Sequence, residues 1–134
     1  MPTVSVVIPL YNARDVIRET VQSVLAQTWK DYEIVVIDDG STDGSGAVVR
    51  SLGPALRYIR QENGGVARAR NRGIATSTGV YIALLDHDDL WHPTKLEKQV
   101  AMLTQRPEVG LVITDVDHID RQGRPIGIIG KRYN

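Results

Sequence analysis

The sequence has no cysteine and no net charge, and each absence argues against certain classes of protein. With 0 Cys in 134 residues, it has no disulfide framework and no thiolate ligand for zinc. Without cysteines, the sequence does not indicate whether the protein works in an oxidising or a reducing compartment. Its 16 basic residues balance 16 acidic ones. This balance argues against binding a polyanion by bulk electrostatics, although a local basic cluster remains an alternative. We therefore expect no nucleic-acid partner.

Long hydrophobic runs are also missing. No apolar stretch approaches the roughly 20 residues that a membrane helix needs, and we expect no transmembrane segment. The first residues, MPTVSVVIPLYN, lack a basic region before their apolar run and are typical of a first β-strand, not of a signal peptide. With 42% hydrophobic and 24% charged residues, the composition is that of a globular domain, and the length suits one domain or a piece of one.

Continuous apolar runs predict strands that are buried on both faces, as in a parallel sheet. These runs are residues 4–8, 33–37, 80–85 and 111–114, with a weaker candidate at 56–59. Helical spacing between the runs predicts helices at 13–27, 43–51, 66–77 and 93–106, with Asn12 capping the first. The alternation of strands and helices predicts an α/β fold with an open, mostly parallel sheet flanked by helices.

Polar segments follow three of the predicted strands, at the edge of the sheet where ligands of such folds bind. PLYN follows the first strand, DDGSTDGS the second, and DHDD the strand at 80–85. Three polar segments at one edge predict a binding site. Turn and capping chemistry explains Gly40 and one hydroxyl of DDGSTDGS. It does not explain the acid pair, of which we expect Asp39 to accept hydrogen bonds from a ligand.

The segment NGGVARARNRGI predicts a helix start whose glycine pair lets the backbone approach an anionic ligand. Neither the dinucleotide-binding nor the P-loop glycine fingerprint is present. At about 100° per residue, Arg68 and Arg72 fall on a solvated face, whereas Arg70 falls on an apolar stripe with Val66 and Ile74. An arginine on that stripe needs a carboxylate or an anionic ligand as its partner, and an ion pair with a structural acid is the alternative.

Three carboxylates crowd the segment DHDD at residues 86–89. Their repulsion favours protonation of one of them unless a cation is present. Oxygen ligands with few protein contacts suit Mg²⁺ or Mn²⁺, whose other positions are filled by water and substrate phosphates. Asp86 and Asp88 project the same way in an extended segment and can share one ligand. A solvated acidic loop is the alternative.

Two long segments, VSVVIPLYNARDVIRETVQSVLAQTWKDYEIVVIDDGSTDGS and ENGGVARARNRGIATSTGVYIALLDHDDLWHPTKLEKQV, resemble the inverting family-two glycosyltransferases with the GT-A fold. The resemblance extends from Thr3 to about Val100 and rests on several ordered motifs. It implies a Rossmann-like GT-A sheet in which residues 1–134 form one nucleotide-sugar-binding domain. We expect this domain to be an N-terminal fragment that is truncated before the acceptor-binding half of a longer transferase.

The resemblance also implies site residues. Tyr11 would lie beside the nucleotide base, Asp39 is the preferred acceptor for that base, Asp86 would lie near the ribose or sugar, and Asp88 would bind Mn²⁺ or Mg²⁺. The positions that match nucleotide-sugar contacts are Pro9, Tyr11, Asn12, Asp38, Asp39, Arg70, Asn71, Asp86 and His87.

The implied catalysis is transfer of a sugar from a nucleotide-diphosphate sugar to an acceptor hydroxyl with inversion. Asp86 and Asp88 are the catalytic candidates, with the metal on Asp88 stabilising the leaving diphosphate. A general base must also remove the acceptor's proton. In the family this base is an acid beyond the D-x-D motif, and no position here matches it, since nothing assigns Asp115 or Asp117 to that role. A non-catalytic nucleotide-sugar-binding module is therefore the alternative for this chain.

The resemblance suggests partners and excludes competing classes. It implies a UDP-sugar donor, with dTDP- and GDP-sugars as alternatives, and a glycan or lipid-linked acceptor in polysaccharide or cell-envelope glycan synthesis. The expected location is the cytoplasm, including the inner face of the membrane. A pyrophosphorylase-like domain would carry a glycine-rich, arginine-containing loop where PLYNARD stands. A phospho-acceptor signalling domain would carry its acid pair after the first strand.

Overall fold

The chain folds around a parallel four-stranded sheet, and the computed structural model describes residues 1–127. The strand order is β3-β2-β1-β4, and β5 and β6 form a separate antiparallel pair. This arrangement confirms the predicted α/β class. The elements are β1 Val4–Leu10, α1 Ile17–Leu25, β2 Tyr32–Asp38, α2 Ser45–Ser51, β3 Leu56–Arg60, α3 Val66–Thr76, β4 Tyr81–Leu84, α4 Lys95–Gln105, β5 His118–Ile119 and β6 Pro125–Gly127.

The two central strands form the core of the sheet. All seven residues of β1 are buried, as are the last five of β2, which explains their continuous apolar sequence. β1 continues through Pro9 to Leu10, two residues beyond the predicted end. The side of β1 that faces β4 ends its ladder at Val7 and Leu84, and the following Leu85 N–H still donates to the Val7 carbonyl. Pro9 lies beyond this point, where its missing N–H interrupts no ladder bond.

The predicted start of the first helix is wrong. α1 begins at Ile17 and not at residue 13, and its cap position is Val16, which makes no side-chain capping bond. Asn12 instead has a left-handed φ of 46°, and its Oδ1 accepts a hydrogen bond from the Thr42 N–H. The amide side chain that would cap a helix therefore links two loops, because asparagine tolerates this backbone conformation and bonds nearby backbone groups.

The buried face of α3 also differs from the prediction. Val66 and Ile74 are 52% and 42% exposed, whereas the buried residues of the helix are Ala69 and Gly73. A Cβ built on Gly73 would lie 2.2 Å from Val7 Cγ1. Small residues are required on this face because the helix approaches the sheet closely, and the periodicity of large apolar residues therefore identified the wrong face.

Residues 111–114 do not form the predicted strand, and Leu111 and Ile113 are 78% and 82% exposed. An apolar run becomes a strand only where another strand shares its backbone hydrogen bonds, which the run itself does not specify. The chain divides into two units, Met1–Lys98 and Gln99–Asn134. The prediction of one domain over residues 1–134 stays a prediction, and its last seven residues lie outside the described part. No helix within residues 1–127 is long and apolar enough to cross a membrane.

Candidate functional site

A cavity of about 560 Å³ lies in the first unit, at the carboxyl ends of β1, β2 and β4 and beside the start of α3. β1 is the strand from which the sheet extends in both directions, to β2 on one side and to β4 on the other. Open α/β sheets bind ligands at such a switch point, and the volume suits a small molecule. The cavity is lined by Pro9, Leu10, Tyr11, Asp39, Asn63, Gly65, Val66, Ala69, Arg70, Asp86, His87 and Asp88.

Most of the predicted site residues meet in this cavity, although long stretches of chain separate them in the sequence. Asn12, Asp38 and Asn71 are not among the lining residues, and they are treated below with their own contacts. The predicted residues that do line the cavity are Pro9, Tyr11, Asp39, Arg70, Asp86, His87 and Asp88.

Asp39 organises the wall of the cavity that follows β2. Its side chain is buried, and its Oδ1 accepts hydrogen bonds from Gln61 Nε2 at 2.7 Å and from the Gly64 N–H at 3.0 Å. Its Oδ2 accepts from the Gly65 N–H at 2.8 Å. Burial acts to raise the pKa of Asp39, but these bonds and the Arg68 guanidinium hold the pKa below its ordinary value. Asp39 is therefore an ionised acceptor that fixes the glycine pair before α3.

Asp38 is buried in a different network, although it is the neighbour of Asp39. Its Oδ1 accepts from the Ser41 N–H at 2.8 Å, and its Oδ2 accepts from Arg60 Nη1 at 3.2 Å and from the Tyr58 hydroxyl. Successive side chains at a strand end project to opposite sides. The contacts of Asp38 therefore stabilise the β2–β3 side of the fold, and the structure gives no contact between Asp38 and the cavity.

Asn12 shapes the loop after β1 without lining the cavity. Its backbone N–H donates to Ser41 Oγ at 3.0 Å, and its Oδ1 accepts from the Thr42 N–H at 2.8 Å. These two bonds tie the PLYN loop to the DDGST loop, next to the cavity-lining Tyr11. Asn71 is an exposed residue of α3 that does not line the cavity.

Arg70 has the carboxylate partner that its position requires. Its Nη2 lies 2.6 Å from Asp86 Oδ1, and the two side chains are 35% and 46% exposed. Among residues 1–127, the buried Nε of Arg70 has no hydrogen-bond partner. A buried donor without an acceptor is costly. Arg70 therefore orients Asp86, and the exposed part of its guanidinium is available to an anionic ligand in the cavity.

The DHDD segment presents its carboxylates differently. Asp88 is an exposed cavity residue that makes no hydrogen bond or ion pair with the described part of the chain. Burial, and then the charges of Asp88 and Asp86, raise the pKa of Asp89. The ring Nδ1 of His87 lies 3.2 Å from the Pro9 carbonyl oxygen. Within residues 1–127, no three His, Asp or Glu side chains converge on a metal position.

Asn63 is a polar lining residue that is not among the predicted site residues. Its Nδ2 donates to the Asp39 backbone carbonyl at 3.0 Å. Asn63 follows β3, which is also a parallel strand of the sheet, and its position before a glycine pair at this edge was the signal available. Gly65 belongs to the glycine pair that was expected to approach a ligand. The rest of the lining is apolar, and its place at the cavity follows only from the fold: Leu10, Val66 and Ala69.

Sequence comparison links the chain to known transferases. Residues 5–130 match the family described as Glycosyl transferase family 2. The putative teichuronic acid biosynthesis glycosyltransferase TuaG of Bacillus subtilis is 42% identical over 109 residues, which are 78% of this chain and 43% of TuaG. An uncharacterized glycosyltransferase of Rickettsia bellii is 39% identical over 126 residues, 92% of this chain and 18% of that protein. The chain spans less than half the length of these relatives.

Two solved structures of similar fold hold nucleotide sugars. S. aureus TarS 1–349, in complex with UDP-GlcNAc, matches 78% of this chain and 32% of its own at 27% identity and a TM-score of 0.72. The mannosyltransferase PcManGT from Pyrobaculum calidifontis, in complex with GDP-Man and Mn²⁺, matches 87% of this chain and 36% of its own at 29% identity and a TM-score of 0.72.

Proposed function

The chain belongs to glycosyltransferase family 2 and has its GT-A fold, and from that premise we propose that it binds the nucleotide-diphosphate sugar donor of an inverting transferase. The observation that carries the proposal is the meeting of Asp39, Arg70, Asp86 and Asp88 around one cavity at the carboxyl edge of the sheet. In the proposal, Asp39 accepts a hydrogen bond from the base and Arg70 donates to the diphosphate. Asp86 accepts from a sugar or ribose hydroxyl, and Asp88 binds a divalent cation.

We assign the base to Asp39 and Tyr11. A carboxylate has about four acceptor positions, and three at Asp39 are occupied by Gln61, Gly64 and Gly65. The remaining position suits a base that presents a single ring N–H, as uracil and thymine do, better than guanine, which presents two adjacent donors. Between the two pyrimidines we propose a UDP-sugar donor, because UDP-GlcNAc is the donor bound to the similar structure of TarS. Tyr11 is 46% exposed at the cavity and offers its ring to the base.

We assign the diphosphate and the sugar to Arg70 and Asp86. The Arg70 guanidinium lines the cavity and its side chain is 35% exposed, so it can donate to a diphosphate oxygen, and an arginine–phosphate contact is charge-assisted. Arg70 engages only Oδ1 of Asp86. The second oxygen of Asp86 can therefore accept a hydrogen bond from a ribose or sugar hydroxyl.

Asp88 is the residue that we propose for Mn²⁺ or Mg²⁺. A single exposed carboxylate fits such a cation only if diphosphate oxygens and water complete its coordination, which is the usual arrangement for Mg²⁺ at phosphate sites. The chemistry that a divalent cation supplies there is neutralisation of the negative charge on the leaving diphosphate. The Mn²⁺ bound with GDP-Man in PcManGT is consistent with this assignment.

Inversion requires an acceptor hydroxyl to attack the anomeric carbon from the face opposite the diphosphate, with a general base taking its proton. The acids that line the cavity are Asp39, Asp86 and Asp88, and each already has another role in the proposal. Asp115 and Asp117 are exposed residues of the second unit. The proposal for this chain is therefore donor binding, and inverting transfer is proposed for the whole protein.

The acceptor follows from the relatives and not from the cavity. TuaG is named for teichuronic acid biosynthesis, which supports a glycan acceptor in polysaccharide or cell-envelope synthesis. A lipid-linked acceptor and a location in the cytoplasm, including the inner face of the membrane, stay predictions. A non-catalytic module would bind the same donor, and it differs from an enzyme by lacking turnover.

Titration calorimetry of the chain with nucleoside diphosphates tests donor binding. We expect UDP to bind with Mn²⁺ present, to bind more weakly in EDTA, and to bind more tightly than GDP or dTDP. Tighter binding of GDP would move the donor to a GDP-sugar. If no nucleoside diphosphate binds with Mn²⁺ present, donor binding itself is wrong. Release of UDP from UDP-sugar and an acceptor glycan by the full-length protein then separates an enzyme from a binding module.

A further inference from the structure

Polar side chains that are buried or half-buried lie on and just after α1, beside its buried apolar residues Ile17, Val21 and Val24. Thr20 is 1% exposed, Ser23 is half-buried, and Gln27, just past the end of the helix, is 0% exposed. Their spacing places them on one side of the helix. Because burying a hydroxyl or an amide costs free energy unless it is hydrogen-bonded, each of these side chains must have a defined partner.

All three side chains bond the backbone of the segment that follows Asp86. Thr20 Oγ1 donates to the His87 carbonyl oxygen at 2.8 Å, and Ser23 Oγ accepts from the Trp91 N–H at 3.1 Å. Gln27 Nε2 donates to the His92 carbonyl oxygen at 2.8 Å, and its Oε1 accepts from the N–H of Leu96 at 3.0 Å. Residues 87–96 are therefore held by α1 at successive points.

The bond made by Thr20 acts on the peptide that joins His87 to Asp88. Asp88 makes no side-chain hydrogen bond or ion pair within the described residues, so only its backbone restricts where its carboxylate can lie. Asp86 is oriented by Arg70, but Asp88 has no comparable contact. The Asp89 N–H donates to the Asp86 carbonyl oxygen at 3.1 Å, and His87 Nδ1 lies 3.2 Å from the Pro9 carbonyl oxygen. The bond from Thr20 adds a directional link from α1 to the peptide next to Asp88.

We infer that Thr20, Ser23 and Gln27 are positioning residues that hold Asp88 in the geometry needed for a divalent cation and a diphosphate. This inference rests on the proposed function, because it takes Asp88 to be the cation ligand. It differs from a purely structural role in a measurable way. A structural role changes the unfolding free energy alone, whereas a positioning role also changes the extent to which Mn²⁺ strengthens UDP binding.

The test compares Thr20→Val, which removes only the hydroxyl function, with Thr20→Ser, which retains it. Ser5→Ala is the matched control, because Ser5 is a fully buried hydroxyl at the amino end of β1 that bonds Glu33 and Gly79. UDP affinity is measured by calorimetry with Mn²⁺ and with EDTA. In Thr20→Val we expect the gain in affinity from Mn²⁺ to fall about fivefold, the equivalent of one hydrogen bond. Thr20→Ser and Ser5→Ala should keep the wild-type gain.

If Thr20→Val fails to fold, Thr20→Ala compared with Thr20→Ser gives the same contrast, since that pair differs by one hydroxyl. A gain from Mn²⁺ that is equal in wild type and in the hydroxyl-free variants would overturn the positioning role and leave the proposed function intact. A wild-type chain that binds UDP equally with Mn²⁺ and with EDTA, or not at all, would overturn the assignment of Asp88, and the positioning role with it.

Discussion

The carboxylates Glu33 and Asp88, at opposite ends of the parallel sheet, differ in how completely they are hydrogen-bonded within the fold. At the amino end, Glu33 Oε1 accepts from Ser5 Oγ at 2.6 Å, the Thr78 N–H at 2.7 Å and Thr78 Oγ1 at 2.9 Å, and Oε2 pairs with Arg57 at 3.3 Å. Both oxygens of this carboxylate are bonded within the fold. A fully bonded polar group of this kind stabilises the structure and has little capacity left for a ligand.

The carboxyl end is bonded only in part. Asp39 and Asp86 have protein partners, but within residues 1–127 the buried Arg70 Nε and the Asp88 carboxylate have none. These incompletely bonded groups surround a cavity, whereas the amino-end network is closed. The comparison teaches that an acidic residue alone does not mark a site, because both carboxylate oxygens of Glu33 and of Asp38 are bonded within the fold. The predicted contact of Asp38 with a nucleotide sugar stays a prediction. The unsatisfied groups beside a cavity are the better indicator.

Asp39→Ala should have the largest effect on stability and on UDP binding. Asp39 is bonded within the fold and also lines the cavity. The variant leaves the donors of Gln61, Gly64 and Gly65 without their acceptor, and we expect the unfolding free energy to fall by about 3 kcal/mol. UDP binding in Mn²⁺ should be lost. Chemical denaturation and calorimetry measure the two effects, and Asp15→Ala on the exposed turn before α1 is the control. Unchanged UDP affinity in folded Asp39→Ala would contradict the assignment of the base.

Glu33→Gln should affect stability alone. An amide in this position loses charge-assisted bonds to Ser5, Thr78 and Arg57, and we expect the unfolding free energy to fall by about 2 kcal/mol. The affinity for UDP in Mn²⁺ should match that of the wild type, as measured by calorimetry below the melting temperature. A weakened affinity would break the distinction between a structural and a ligand-binding end of the sheet.

Asp88→Asn should affect binding alone. The amide is a poorer ligand for Mn²⁺, and we expect UDP affinity in Mn²⁺ to fall about tenfold, which corresponds to about 1.4 kcal/mol. The affinity in EDTA should not change. Because the Asp88 side chain is exposed and makes no bond with described residues, the unfolding free energy should stay within about 0.5 kcal/mol of wild type. A clear loss of stability would show that Asp88 has a structural role.

The smallest expected effect is the pH dependence of the Glu33 network. Burial acts to raise the pKa of Glu33, but bonds from Ser5, Thr78 and Arg57 hold it below its ordinary value of 4.5. A lowered pKa in the folded state means that the carboxylate stabilises the fold fully above about pH 4.5 and loses this contribution as the pH falls through the lowered pKa. The stability difference between wild type and Glu33→Gln should therefore shrink below pH 4.5 in urea unfolding. A constant difference would contradict the pKa assignment.

The sequence was sufficient to predict the family, the fold and most of the cavity. The family is confirmed by the match over residues 5–130, and the parallel order of β1, β2 and β4 brings PLYN, DDGS and DHD to one edge. Continuous apolar runs predict such strands because both faces of a parallel sheet are covered. Motifs after these strands converge by topology, which explains why distant residues could be assigned to one site.

The remaining errors concern features that depend on contacts with residues distant in the sequence. Asn12 is typical of a helix cap, but its partner Thr42 belongs to another loop. The buried face of α3 is set by its closeness to Val7, which favours Gly73 over a large side chain. The sequence favoured Asp39 over Asp38 without a physical reason, and the contacts of Asp38 with Tyr58 and of Asp39 with the glycine pair now distinguish their surroundings.

Amide chemical shifts on titration with UDP and Mg²⁺ test the central claim most directly, because they compare both ends of the sheet in one experiment. The account predicts the largest changes at Asp39, Gly65 and Asp88, with the amides of Ser5 and Gly79 unchanged. Changes centred on Ser5 and Gly79, or no changes at the cavity, would contradict it.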